Sequence, residues 1–377
     1  MKRILETILI TFVGGMLFTL LNVPLSWMLG PLAAVLLWTA CTRRSLVWPI
    51  WLRNGGLLLL GYSMGLSFTL NSAKQISSQL PSMFIATLLT IAFSLGIAFI
   101  TARQTGVNPA SSAIGSIPGG LSQMIVLSEE IEGADKAVVA FMQTIRLLMV
   151  VFVIPFVAVH GLAADGFVAG SAGVGSSIAN GGAGNTLVGS LISWSEAVIS
   201  RPIFSCLIVV GVAAATWIAV KLRFPTAYFL GPILAAATFT VSGLEPPHLP
   251  SLFVLVAQWS LGIYMGLGIK LSSLSNWRRL LPYTILGNVA VIGFSIGLSY
   301  VFSLVLPMSL LTAFLGMSPG GMTEMGVTAT LVGADVSLVV AYQMFRILFI
   351  LFIVPYILRW GFRYFRRNTA AHSNGNS

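Results

Sequence analysis

Apolar residues in this chain come in long blocks separated by short polar punctuation, and period-2 alternation is not the pattern. The blocks lie near 4–22, 26–41, 52–70, 80–102, 110–130 and 137–159, and again near 203–220, 226–243, 253–269, 281–303, 310–330 and 337–357. Blocks approaching ~20 apolar residues predict helices that cross a bilayer. The second block of each half is short for a span and begins just after a proline, Pro24 or Pro225. The fifth block of each half carries a Pro-Gly-Gly, which breaks a helix because proline lacks an N–H and glycine accepts unusual backbone angles.

The two Pro-Gly-Gly stretches are copies. Gly115-Ser116-Ile117-Pro118-Gly119-Gly120-Leu121-Ser122-Gln123-Met124 returns 201 positions later as Gly316-Met317-Ser318-Pro319-Gly320-Gly321-Met322-Thr323-Glu324-Met325, with five of ten residues identical. At the same offset Leu29-Gly30-Pro31 matches Leu230-Gly231-Pro232, and Met64-Gly65-Leu66 matches Met265-Gly266-Leu267. The offset then becomes 200, pairing Gly133-Ala134-Asp135 with Gly333-Ala334-Asp335, Gln143 and Arg146 with Gln343 and Arg346, and Pro155 with Pro355. A duplication of this extent divides the chain into a first repeat at 1–162 and a second at 201–360. Residues 163–200 read as a Gly/Ser/Ala-rich linker with Leu191–Trp194 as a candidate interfacial helix, and 361–377 as a basic, disordered tail.

Charge decides the expected topology. If all six blocks of each half span, seven lysines and arginines fall outside and eleven inside. If the fifth block is a re-entrant hairpin, the second half is inverted, only Lys74 and Arg201 fall outside, and sixteen stay inside. Basic residues accumulate on the cytoplasmic side, so the second arrangement is the expected one. The predicted fold is an all-α polytopic membrane protein of two inverted repeats. Each has about five transmembrane helices plus a re-entrant or broken Pro-Gly-Gly helix. Both termini are cytoplasmic, in a bacterial plasma (inner) membrane.

Composition agrees: 56% of residues are hydrophobic and 8% charged, against roughly a quarter charged in a soluble protein. The net charge of +10 sits between apolar blocks and at the C-terminus, which argues against a nucleic-acid partner. Cys41 and Cys206 fall in or at the end of apolar blocks and read as packing residues rather than a disulfide. The three histidines (His160, His248 and His372) form no metal motif, and no Ser–His–Asp set can be placed, so neither an enzyme nor a cofactor is expected.

Paired helix breaks in corresponding positions of two halves point to a transporter's binding site, because irregular backbone at membrane depth is tolerated only when buried or lining a cavity. The helix that follows each break presents free N–H groups and a positive dipole end, which favours an anion. The candidate substrate-binding set is therefore Ser116, Pro118, Gly119, Gly120, Ser122 and Gln123 in the first copy, with Ser318, Pro319, Gly320, Gly321, Thr323 and Glu324 in the second. Arg146 and Arg346, with Gln143 and Gln343 one turn earlier on the same face, complete it. A guanidinium there either binds a carboxylate or caps free carbonyls of the break. Glu324 stands where the first copy has the neutral Gln123, which marks it as the candidate coupling-ion or proton site or, alternatively, as a structural partner of an arginine. The acidic loop of Glu129, Glu130, Glu132 and Asp135 reads as a solvated connector.

The doubled unit GSIPGG…GADKAVVAFMQTIRLL and GMSPGG…GADVSLVVAYQMFRILFI resembles the membrane AbrB family over nearly the whole chain. That resemblance brings two labels, regulation of gene expression and ammonia oxidation. The residues offer neither a DNA-binding domain nor a His-rich copper or iron site. In architecture the family is similar to cation/proton antiporters and bile-acid-type symporters, although this chain lacks the paired intramembrane aspartates of simple Na⁺/H⁺ exchange. The expected function is secondary transport of a small anionic solute by alternating access, with H⁺ or Na⁺ as candidate coupling ion. The alternative is a membrane-embedded regulator of gene expression without transport. The expected partners are the lipid bilayer and a small solute, with self-association left open.

Overall fold

A computed structural model describes residues 2–42, 44, 46–131, 133–162, 189, 191–192, 194–196, 199–222, 224, 226–244, 246–269 and 277–358. The tail and nearly all of the linker lie outside them. The described regular structure is helical, and six helices are long and apolar enough to cross a membrane: Arg3–Leu20, Leu80–Thr105, Lys136–Leu162, Pro202–Lys221, Ser251–Gly268 and Arg278–Val305. The chain is an all-α, multi-span membrane protein.

In chain order the helices are α1 (Lys2–Leu20), α2 (Ser26–Thr42), α3 (Ile50–Gly65), α4 (Leu70–Ser78), α5 (Leu80–Thr105), α6 (Pro109–Ser116), α7 (Leu121–Glu130) and α8 (Lys136–Phe156). They continue as α9 (Pro202–Lys221), α10 (Ala227–Val241), α11 (Ser251–Gly268), α12 (Trp277–Val305), α13 (Leu310–Met317), α14 (Met322–Val332) and α15 (Val336–Phe352). Every apolar block becomes a helix or, for the fifth of each half, two short ones. The amphipathic α4 was not expected. The chain falls into two compact units: Met1–Ser78 with Pro155–Lys270 and Thr323–Val340, and Gln79–Ile154 with Leu271–Met322 and Ala341–Ser377.

In the first unit α3 packs on α10, and α11 packs on α2. Both contacts are made by glycines that let backbones touch. A Cβ at Gly61 would collide with the Phe229 carbonyl, and one at Gly262 would collide with the Met28 carbonyl. These four residues are the same pair taken twice, 201 positions apart, so the contact is reciprocal. Small residues at such crossings permit close packing where lipid supplies no hydrophobic drive. The helices thus met, α2 and α10, are short (17 and 15 residues) and each contains a proline, Pro31 or Pro232.

In the second unit the long helices α5 and α12 pack together. Phe93 and Phe294 stack face to face there, with centroids 4.2 Å apart and an interplanar angle of 6°. Hydroxyls within these helices bond back to the preceding turn, as Thr90 does to the Ala86 carbonyl (2.8 Å) and Ser295 to that of Val291 (2.9 Å). After α5 stops at Gly106 (φ 73°), the Asn108 side chain accepts from the Ala110 N–H at 2.9 Å and caps α6, with Pro109 at its first position. Ser309 caps α13 in the same way by accepting from the Thr312 N–H at 3.2 Å. Ser112 Oγ donates to the Ala98 carbonyl at 2.8 Å, holding α6 against α5. The apolar core around the first break includes Ile114, Ile117, Met124, Val139, Ile350 and Val354.

Candidate functional site

Both Pro-Gly-Gly stretches are helix breaks. α6 ends at Ser116 and α7 begins at Leu121, while α13 ends at Met317 and α14 begins at Met322. Extended backbone joins them: Ile117 has φ −66° and ψ 131°, Gly120 φ −70° and ψ 137°, and Ser318 φ −59° and ψ 144°. This corrects one expectation. The described glycines with positive φ are Gly106, Gly133, Gly243 and Gly333, so the break glycines are not there for left-handed backbone. A Cβ at Gly119 would come within 2.5 Å of the Met124 methyl, so that flexible side chain would have to move aside.

Ending a helix frees its last carbonyls, which must find donors in a buried setting. Gln143 and Arg146 of α8 supply them. Gln143 Nε2 donates to the carbonyls of Ile114 (2.9 Å) and Ile117 (3.0 Å). Arg146 donates from Nη1 to the Ile117 carbonyl (2.6 Å) and from Nη2 to that of Gly119 (2.5 Å). The second copy repeats the clamp. Gln343 Nε2 donates to the carbonyls of Leu315 (2.7 Å) and Ser318 (3.0 Å), and Arg346 donates to those of Ser318 and Gly320. Of the two roles open to the arginines, the geometry is that of capping. All four side chains are buried.

The copies differ in detail. Arg346 also donates to Gln343 Oε1, whereas Gln143 Oε1 is buried without a partner among the described residues. Ser318 is fully buried and its hydroxyl turns back to the Phe314 carbonyl at 2.5 Å, so it offers no free hydroxyl to a solute, contrary to expectation. Its counterpart Ile117 is likewise fully buried, Pro118 and Pro319 are buried, and Gly120 is exposed. Gly320, Gly321 and, in the first unit, Thr323 are half-buried. The side chains of Ser122 and Gln123 lie outside the described residues.

Glu324, in the first turn of α14, belongs to the first unit. It is half-buried, and its Oε2 is shielded from solvent with no hydrogen-bond partner among the described residues. The acidic loop behaves as a connector: Lys136 Nζ pairs with Glu129 at 2.7 Å, both well exposed. Asp135 Oδ1 accepts from the Ala137 N–H at 2.8 Å and caps α8. Cys41 and Cys206 are free thiols but exposed, so the packing role expected of them is not what the structure assigns.

Two features were missed. Arg53 near the start of α3 donates to the Tyr264 hydroxyl at 2.8 Å and lies 4.5 Å from the centre of that ring. A lone arginine inside a block beginning near 52 was the available signal. Thr101, Thr284 and Asn288 line a narrow recess with Ser116, and a polar Asn288 in mid-block was its only trace.

A multi-span helical protein with two matched, arginine-clamped helix breaks defines the class of molecule in hand. Its sequence matches the family model described as transition state regulatory protein AbrB over residues 27–361, and the chain belongs to that AbrB family. It is similar to the uncharacterized protein YhjN of Bacillus subtilis (strain 168), with 24% identity covering 92% of this chain and 90% of that one. It is also similar to a protein of Escherichia coli (strain K12) named as a candidate regulator, AbrB, with 26% identity covering 91% and 92% respectively.

Proposed function

We propose that this protein is a secondary transporter of a small anionic solute, working by alternating access in a bacterial inner membrane with both termini cytoplasmic. The observation that carries the reading is the matched pair of clamped breaks at corresponding places in the two halves. Holding two helices broken inside an apolar protein requires two buried arginines and two buried glutamines, and no packing need of an ordinary span calls for them. Each helix start after a break offers N–H groups to an anion. Glu324, whose Oε2 lacks a partner among the described residues, is the candidate coupling group.

The test is uptake by proteoliposomes of a panel of labelled small carboxylates and inorganic anions, under imposed pH or Na⁺ gradients. Flux above that of protein-free vesicles, abolished by Glu324→Gln or Arg346→Ala, is the expected result. Flux unaffected by both substitutions removes the site assignment, and no flux for any anion removes the reading.

A second reading, a membrane-embedded regulator, is favoured by the family description and by the name of the Escherichia coli relative. Removing residues 361–377 separates the two. A regulator that docks through the tail loses its effect on gene expression, while a transporter keeps its flux.

A further inference from the structure

Within the first unit, α3 crosses α11 at one position and its copy. A Cβ on Gly56 would meet the Ala257 carbonyl at 3.1 Å, and the two residues stand 201 apart. Duplication therefore makes the two ends of this helix pair equivalent, and the crossing itself demands no difference between them. They differ in chemistry all the same. One end carries Trp48, Trp51, Arg53 and Tyr264, where the other has Leu249, Leu252, Val254 and Ser63. Tyr264 lies one turn from the end of the membrane-crossing α11, and Thr7, which reaches the same end, lies one turn from the start of α1. The arginine and the aromatics thus sit where spans meet a membrane face.

This end is held in place by side chains. Thr7 donates to the Val47 carbonyl at 3.2 Å, Trp48 Nε1 donates to Ser260 Oγ at 3.0 Å, and Ser260 Oγ donates to the Leu52 carbonyl at 3.0 Å. The first turn of α3 is fixed by these bonds, and Arg53 with it. The half-buried Arg53 gives Nη1 to the Tyr264 hydroxyl and lies over that ring, so it is steadied from one side. Its Nη2 has no acceptor among the described residues and, unlike Nε, is not shut away from solvent. Among the described residues no carboxylate pairs with Arg53. The Tyr264 hydroxyl, having accepted from Arg53, keeps its own hydrogen to donate. Pro49 precedes α3 and makes no side-chain cap, so the helix start adds free N–H groups and a positive dipole end. A guanidinium fork, a phenol and a helix start together suit a phosphate. Beside them Ile50 is 64% and Trp51 71% exposed, and an exposed tryptophan at a span end belongs at headgroup depth.

We propose that Arg53, Tyr264 and the start of α3 seat the phosphate of an anionic phospholipid, whose acyl chains run along the exposed Ile50 and Trp51. A zwitterionic headgroup brings its own cation to the phosphate, whereas an anionic one leaves that place to Arg53. The inference stands apart from the transport reading, because its test reads lipid binding and not flux. The full chain in a neutral detergent is unfolded thermally while phosphatidylglycerol is titrated in, beside phosphatidylcholine with the same acyl chains. The expected result is a midpoint that rises at a lower mole fraction of phosphatidylglycerol than of phosphatidylcholine. Arg53→Gln is expected to need about fivefold more phosphatidylglycerol for half of the rise. Lys221, a cation 4.9 Å from the Trp217 ring at the end of α9, is the matched control, and Lys221→Gln keeps the wild-type response. Should Arg53→Gln fail to fold, Tyr264→Phe, which keeps the ring and loses the hydroxyl, carries the test by weakening the response. Equal rises with the two lipids overturn the proposal. So does an unchanged phosphatidylglycerol response in the folded Arg53 or Tyr264 variant, or a loss just as large in Lys221→Gln. A matching rise with sodium glycerol phosphate, which has no acyl chains, overturns the lipid assignment.

Discussion

The guanidinium of Arg146 ends on the carbonyl of Gly119, Nη2 to O at 2.5 Å, twenty-seven residues back along the chain. That bond and its partner to Ile117 supply donors to a backbone that has left its helix. Arg146→Met leaves the Gly119 carbonyl without its donor and the Ile117 carbonyl with Gln143 alone, and is expected to cost about 1–3 kcal/mol of stability. Arg146→Lys keeps the charge but not the fork, and should fall between. Thermal unfolding of the three purified proteins in one detergent checks the order.

Gly262 and Gly96 make a matched contrast. A Cβ at Gly262 has to displace the Met28 backbone, whereas nothing lies within 4 Å of one at Gly96. Gly262→Ala is expected to lose about 1–3 kcal/mol through overpacking. Gly96→Ala should be neutral or gain up to about 1 kcal/mol from helix propensity. Unfolding midpoints that fail to separate the two would contradict the close crossing of α11 on α2.

Glu324→Gln should leave the fold intact, because Oε2 has no hydrogen bond among the described residues to lose. The same change is expected to abolish the anion flux driven by the imposed proton or sodium gradient. Melting curves and vesicle flux on one preparation separate the two effects, and a flux still driven by both gradients would clear Glu324 of the coupling role.

The proposed orientation puts the end of α2 on the cytoplasmic side. Cys41 is exposed and one residue short of that helix end. A membrane-impermeant maleimide is expected to label Cys41 in inside-out vesicles and not in right-side-out ones, with Cys206→Ser as background. The reverse pattern would invert the topology.

Much of this was legible in the sequence for one reason: duplication prints every important residue twice. The offset of 201 located both breaks, and the offset of 200 located Gln143, Arg146 and their copies. What could not be read was the target of a side chain. Arg146 could have faced a solute or a carbonyl, and only three-dimensional placement distinguishes them. The break glycines were misread for a related reason, since a glycine in extended backbone and one at positive φ look the same in a sequence. The recess was invisible because Asn288 lies on a helix far along the chain from Thr101 and Ser116, each residue unremarkable in its own apolar block.

The stack between Phe93 and Phe294 has a consequence for assembly. These residues are one position and its duplicate (93 + 201 = 294), so a side chain here rests on its own descendant. A residue meets its own copy in this way at the dyad of a homodimer, and the mutual pairing of Gly61 with Phe229 and Gly262 with Met28 is what an isologous interface produces. Two separate halves that paired about such an axis would make the same contacts. Separate expression of residues 1–188 and 189–377 should accordingly yield two polypeptides that find each other in the membrane and copurify.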